Sequence, residues 1–210
     1  MIKNRKMHGF TLAEVLITLT IIGVISAITL PSLNNNVNNT AREKQTLKFY
    51  NQLQNMVERY KQDNEVDKID DDIKSEATIK KYFKIENKCA NATDCFASTY
   101  AGVNKGTYNL SDMISNGEVF YRLKDGSVFG IYKTGDNFSV TFDTNGKSKP
   151  NKVGYDMWLA WITKDGEIVG ESSQNDTDET VKAELTKCLN GEAYEGCFSY
   201  FLRNGFKIDY

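Results

Sequence analysis

The pattern of apolar and polar positions divides the chain into three regimes. From Phe10 to Leu30 there are 21 residues, of which Glu14 is the one ionisable side chain. At about 1.5 Å per residue, a helix of that length spans roughly 31 Å, enough for a bilayer core of about 30 Å. Pro31 lacks a backbone N–H, and the asparagines at Asn34, Asn35, Asn36, Asn38 and Asn39 are mediocre helix formers, so a weak point is predicted there. Beyond it Leu47, Tyr50, Leu53, Val57 and Tyr60 recur at three- and four-residue intervals. That period predicts an amphipathic helix from Ala41 to about Gln62, with one face for packing.

The third regime is short and strand-like. A polar, acidic stretch from Asp63 to Lys74 reads as a loop, and Ser75 is a plausible cap for a brief helix carrying Ile79, Tyr82 and Phe83. Five runs rich in aromatic and β-branched residues follow, at 119–123, 127–132, 138–142, 157–162 and 167–169. Asp125-Gly126 and Asp165-Gly166 sit between such runs and favour two-residue hairpin turns. Two further helices are predicted, from Asp178 through Leu189 and from Cys197 to about Arg203. The expected fold is α+β: a long N-terminal helix packed on an antiparallel β-sheet, with short extra helices and Trp158 or Trp161 buried beneath it.

Composition and charge narrow the function. The chain has 210 residues and a net charge of −2, and Lys3, Arg5 and Lys6 precede the apolar run, so the remainder is more acidic still. No basic footprint for nucleic acid is present. The single histidine is His8, ahead of the run, so the rest of the chain has none for a His-based catalytic triad or a His-ligated zinc site. The acidic Asp70-Asp71-Asp72 lacks EF-hand spacing and reads as a solvated surface. No catalysis is expected. Cys89, Cys95, Cys188 and Cys197 all follow the apolar run, and basic residues before a span hold that end in the cytoplasm. The cysteines thus fall on the side where disulfides form, and their spacings do not match zinc knuckles. Of three possible pairings, Cys89 with Cys95 and Cys188 with Cys197 close the shortest loops and are predicted.

Gly9, Phe10, Thr11, Leu12 and Glu14, with Lys3, Arg5 and Lys6 before them and the apolar run after, resemble the type III signal of the type IV pilin and type II secretion pseudopilin superfamily. The resemblance implies that a prepilin peptidase cuts between Gly9 and Phe10 and that the new amine of Phe10 is methylated. It divides the chain into a leader (1–9), a transmembrane and filament-core helix (10–30), an amphipathic continuation (31–62) and a globular α+β head (63–210). The implied function is a structural subunit of a pilus-like or pseudopilus filament, with other pilin subunits and the membrane as its further partners. The implied location is the bacterial inner membrane, single-pass, with the head outside the cytoplasm, and then a periplasmic or extracellular filament. Pilus, secretion pseudopilus and DNA-uptake filament are all covered by it. An ionised group inside an apolar helix costs about 2.5–3.5 kcal/mol near a bilayer centre, so Glu14 needs a partner. The amine of Phe10 in a neighbouring subunit would supply one and offset the burial of both charges. The alternative is an ordinary signal anchor on a membrane-anchored or secreted enzyme or binding protein. An ordinary secretory signal has an apolar region of about 7–15 residues, and neither signal accounts for Glu14 five places after Gly9.

One loop carries candidate metal chemistry. Asp143-Thr-Asn145-Gly146, Pro150-Asn151 and Gly154-Tyr-Asp156 resemble, in spacing, loops of pseudopilin-like heads that bind calcium. The resemblance implies a hard-cation site in which Asp143 and Asp156 supply carboxylates and Asn145 and Asn151 supply amide oxygens. The competing reading is a hairpin loop whose Asn, Gly and Pro only shape turns, and Lys147, Lys149 and Lys152 add positive charge there. No other cofactor is expected.

Overall fold

The computed structural model describes residues 11–171 and 176–210, with side chains throughout except at 28 and 30–37. Compact units divide between Asn39 and Thr40. In the first, residues 12–39 are helical and belong to α1, which runs from Leu12 to Asn64 without a break. The weak point predicted at Pro31 and the asparagines therefore does not interrupt the hydrogen-bonded helix. A single proline removes one donor and each asparagine costs only tenths of a kcal/mol, while an established helix propagates cooperatively. Among the described residues no helix is long and apolar enough to cross a membrane. The uninterrupted described side chains of the apolar run end at Ala27, and Phe10, Ile28 and Leu30 lie outside them.

The second unit begins with the rest of α1. A 3₁₀ turn at Asp71–Lys74 and helix α2 (Glu76–Tyr82) lead to strand β1 (Ile85–Lys88) and helix α3 (Ala92–Cys95). Strands β2 (Thr99–Ala101) and β3 (Thr107–Asn109) form a small separate ribbon, followed by helix α4 (Leu110–Met113). Next come β4 (Val119–Leu123), β5 (Val128–Thr134), β6 (Asn137–Asp143), β7 (Met157–Ile162) and β8 (Ile168–Val169). Helices α5 (Asp178–Asn190) and α6 (Gly196–Arg203) close the chain. The main sheet is antiparallel in the order β1-β4-β5-β6-β7-β8. All five predicted strands are present, and β1, β2, β3, α3 and α4 are additional.

The core lies between the sheet and α1. Phe49, Leu53, Met56, Val57 and Tyr60 are buried, whereas Leu47 and Tyr50, predicted to share the packing face, are only half-buried. Leu53, Val57 and Tyr60 of the predicted stripe thus face the sheet, and at its N-terminal end Phe49 takes the place expected of Leu47 and Tyr50. The Phe49 ring stacks on Phe142 of β6 at 4.3 Å between centroids and contacts Phe129 of β5 at 5.7 Å. Burying each such side chain contributes about 1.5–3 kcal/mol. The two Asp-Gly turns hold the same helix: Lys48 Nζ reaches Asp125 Oδ2 at 2.5 Å, and Lys61 Nζ donates to the Asp165 carbonyl at 2.8 Å. Gly166 has φ +86°, and a Cβ there would sit 2.8 Å from Val57 Cγ1, so only glycine lets this turn close on α1. Trp158 is the buried tryptophan; it packs on Phe198 and Phe201 of α6, while Trp161 on the opposite face is half-buried.

Candidate functional site

Two places carry the residues singled out by sequence. At the start of α1, Thr11 is the N-cap: the Glu14 backbone N–H donates to Thr11 Oγ1 at 3.2 Å. In return Glu14 Oε2 accepts the Thr11 backbone N–H at 2.8 Å and the Thr11 hydroxyl at 2.9 Å. This reciprocal pair is a capping box, and it satisfies two of the donors that a helix start leaves open. The Thr11-x-x-Glu14 spacing is itself the signal for it, beside the pairing role read for Glu14. Gly9 and Phe10, the predicted cleavage pair, lie outside the described residues.

The run that follows is apolar at its surface. Thr18, Thr20 and Thr29 each turn the hydroxyl back onto a carbonyl of their own helix, at 2.9, 2.8 and 2.9 Å. None of these three hydroxyls is then left as an unmet donor, which an apolar medium would penalise. Leu12 is 78% exposed, and Leu16, Ile17, Leu19, Ile21, Ile22, Val24 and Ile25 are exposed as well. A contiguous apolar surface of this kind marks a protein or membrane contact.

The second place is the β6–β7 loop. Asp143 and Asp156 are both fully buried. Asp156 accepts the backbone N–H groups of Asn151 at 2.9 Å and Lys152 at 2.6 Å, and so shapes the turn. Asn151 there has φ +49°, the left-handed region that asparagine tolerates. Asp143 accepts the Asn145 backbone N–H at 2.9 Å and the Tyr100 hydroxyl at 2.8 Å. Burial, with repulsion from Asp156 second, pushes the Asp143 carboxyl well above its ordinary range; burial raises Asp156 too, against the Lys152 and Asn151 N–H groups. The Asn145 side-chain amide lies 2.9 Å from Asp143 Oδ1 and 3.1 Å from the Ser148 carbonyl. With its nitrogen on that side the amide donates to both.

The four loop residues therefore form two linked pairs. Asn145 donates to Asp143 from its backbone N–H and its side-chain amide, while Asp156 holds the backbone of Asn151. The Asn151 Oδ1 atom is buried without a hydrogen-bond partner. An oxygen-only donor set of this kind fits a hard cation in chemistry. Among the described residues no group of three or more His, Cys, Asp or Glu side chains is assembled. Sequence reading missed Tyr100, whose hydroxyl also accepts the Ala97 N–H at 3.2 Å and which anchors Asp143 from a distant strand.

The cysteines pair as predicted, Cys89 with Cys95 and Cys188 with Cys197, at Cα separations of 6.1 and 5.7 Å, and none is free. The first bridge ties the end of β1 to α3, and the second ties the end of α5 to the start of α6. Both lie in the second unit.

The sequence model of the prokaryotic N-terminal methylation motif matches residues 4–30. This interval includes Arg5, Lys6, Gly9, the Thr11–Glu14 box and the apolar run to Leu30. No curated protein and no solved structure matches the chain.

Proposed function

We propose that this prepilin-type chain is the precursor of a filament subunit of the pilus or pseudopilus kind, cleaved after Gly9 and methylated at Phe10. The carrying observation is that the methylation motif at 4–30 runs directly into α1, whose apolar side chains from Leu12 to Ile25 are exposed in the single chain. Such a surface needs lipid before assembly and neighbouring helices after it. The precursor is held single-pass in the inner membrane by the run from Phe10 to Leu30, with residues 63–210 outside the cytoplasm, where both disulfides form. Its partners are the prepilin peptidase and other subunits; the chain is a substrate and a building block, and no catalysis of its own is assigned. Glu14 pairs with the amine of Phe10 in an adjacent subunit, and the loop from Asp143 to Asp156 takes calcium as a structural ion.

Intact-mass measurement of the membrane-extracted protein tests the reading. A species beginning at Phe10 and carrying one added methyl group is expected. A chain that retains residues 1–9, or one cut elsewhere in the apolar run, would favour the signal anchor instead.

A further inference from the structure

The face of the sheet opposite α1 carries a cleft of about 250 Å³. Its floor is two cross-strand pairs, Ser139 with Trp161 and Thr141 with Leu159. The Ser139 hydroxyl donates to the Tyr132 carbonyl at 3.4 Å, and the Thr141 hydroxyl is spent on the Glu118 carboxylate, outside the cleft. Both residues are buried, so the surface this floor presents is chiefly the half-buried Trp161, with Leu159 beside it. Glu171 accepts the Trp161 indole N–H. The one polar atom of that ring is therefore satisfied, and what it offers a ligand is apolar area.

The polar groups stand in the walls. Asp112 and Ser115 lie on one side, Tyr194 and Glu195 on the other. The Tyr194 ring packs edge-on against Tyr108 at 5.7 Å between centroids, and its hydroxyl lies 3.4 Å from the Asp112 carbonyl, which ties the two walls together. The Asp112 carboxylate accepts the Ser111 hydroxyl and the Asn109 amide, and with about four lone-pair sites it keeps room for another donor. Glu195 precedes α6 without capping it, so its carboxylate is not committed to the helix. Anions are disfavoured here: after burial, the charges of Glu195 and Glu118 are what hold the Tyr194 hydroxyl protonated, and Lys187, acting on Glu171, is the base that opposes this field. A metal ion is disfavoured too, because no three carboxylate, histidine or cysteine ligands converge among the described residues. A wholly apolar molecule would strand the carboxylates it covered. The surface asks for a molecule with one apolar face and a rim of hydroxyl donors, and a sugar ring in its pyranose form is built that way. Drug-sized ligands fill about 300–1,000 Å³, so this cleft has room for one such ring.

We propose that this cleft binds a single neutral pyranose, with the C–H face of the ring on Trp161, its hydroxyls donating to Glu195 and Asp112, and Ser115 exchanging a hydrogen bond with it. The ring has two sources, a free hexose and the exposed end of a glycan. The site does not rest on the filament reading above.

Saturation-transfer NMR on the full chain, in a detergent without a sugar headgroup, tests it with methyl β-D-glucopyranoside, methyl β-D-galactopyranoside, methyl α-D-mannopyranoside and the three matching free hexoses. At least one of these sugars is expected to give saturable transfer, strongest at its ring C–H protons, with a Kd on the order of 1 mM. Sorbitol, which has the hydroxyls without the ring face, and Trp161→Ala should each bind at least about tenfold more weakly, and Trp161→Phe should restore the signal. Sodium glucuronate should bind more weakly than the neutral sugar, with the gap narrowing in Glu195→Gln. No saturable transfer from any of the six sugars, an equal response to sorbitol, glucuronate binding as tightly as the neutral sugar, or unchanged binding in Trp161→Ala overturns the proposal; the sorbitol and glucuronate arms need no variant to fold. Within a positive result, equal binding of a hexose and its methyl glycoside assigns the site to a glycan end, and a preference of about tenfold or more for the hexose assigns it to a free sugar.

Discussion

The Glu14 carboxylate closes on Thr11, accepting both its backbone N–H and its hydroxyl within 3 Å. Glu14 is therefore a helix cap within its own chain before it is anything to a neighbour. The two roles separate by mutation. Thr11→Ala removes the N-cap acceptor and costs the helix start about 1 kcal/mol, yet leaves the acid free to pair with another subunit. Glu14→Ala removes both. Cleavage is expected to proceed in both variants, with filament incorporation kept in Thr11→Ala and lost in Glu14→Ala, as read by immunoblot of sheared filaments. Equal incorporation of the two would leave capping as the whole role of Glu14.

Processing is expected to depend on Gly9. A peptidase subsite that takes glycine beside the cut has little room for a branched side chain. Gly9→Val should accumulate as full-length precursor in the membrane fraction, and maturation at the parent's rate would move the cleavage site elsewhere.

The α1 segment after Thr40 is part of the core, and Phe49 is where it is most deeply set. Its ring contacts Phe83, Phe129 and Phe142, and it is 2% exposed. Phe49→Ala should cost about 3–5 kcal/mol by chemical denaturation, whereas Leu47→Ala, at a half-buried site, should cost distinctly less. Equal losses would return the centre of the face to Leu47.

What the sequence carries and what it hides follow from where each signal is stored. β4 and β7 are legible because aromatic and β-branched residues fill them and Asp-Gly turns follow. β1 is Ile-Glu-Asn-Lys, a polar edge segment whose strand character comes from pairing with β4. Leu47 and Tyr50 obey the same helical period as Leu53 and Val57, since adjacent columns of one helix both look apolar; only the sheet decides that Phe49 points inward. The short disulfide loops are a property of chain spacing and so are visible. Glu118 is not, because it flanks a strand like any surface acid until residues 112–115 fold over it.

That burial has a titration consequence. Burial, opposed by the Ser115 N–H and the Thr141 hydroxyl, raises the Glu118 carboxyl from about 4.5 to about 7. A raised acid binds its proton more tightly folded than unfolded, so its contribution is full below pH 4.5 and is lost as the pH climbs to 7. Asp143 and Asp156 shift in the same direction, so the comparison between parent and Glu118→Gln isolates this one group. The variant should be more stable than the parent above pH 7 by on the order of 2–3 kcal/mol, with the gap closing toward pH 4. Parallel stability curves across that range would show that Glu118 titrates as a surface acid does.

The loop from Asp143 to Asp156 offers the sharpest contrast between two physical accounts of the same residues. As a turn, it is held by Asp156 capping the Asn151 and Lys152 N–H groups and by Asn145 donating to Asp143. As an ion site, it turns the Asn145 oxygen inward, engages the orphaned Asn151 Oδ1 and relieves the repulsion between two buried carboxylates. The second account couples stability to calcium: an ion that binds only the folded state adds RT ln(1 + [L]/Kd), about 2.7 kcal/mol at one hundred times Kd. Thermal melts of the parent in millimolar calcium should then exceed those in chelator, and Asp143→Asn, which keeps the shape but removes the charge, should abolish the difference. Asp156→Ala destabilises under either account, because two backbone donors lose their acceptor; only the calcium account makes its loss larger in calcium than in chelator. Coincident melts of the parent in the two buffers would reduce Asp143, Asn145, Asn151 and Asp156 to shaping the turn.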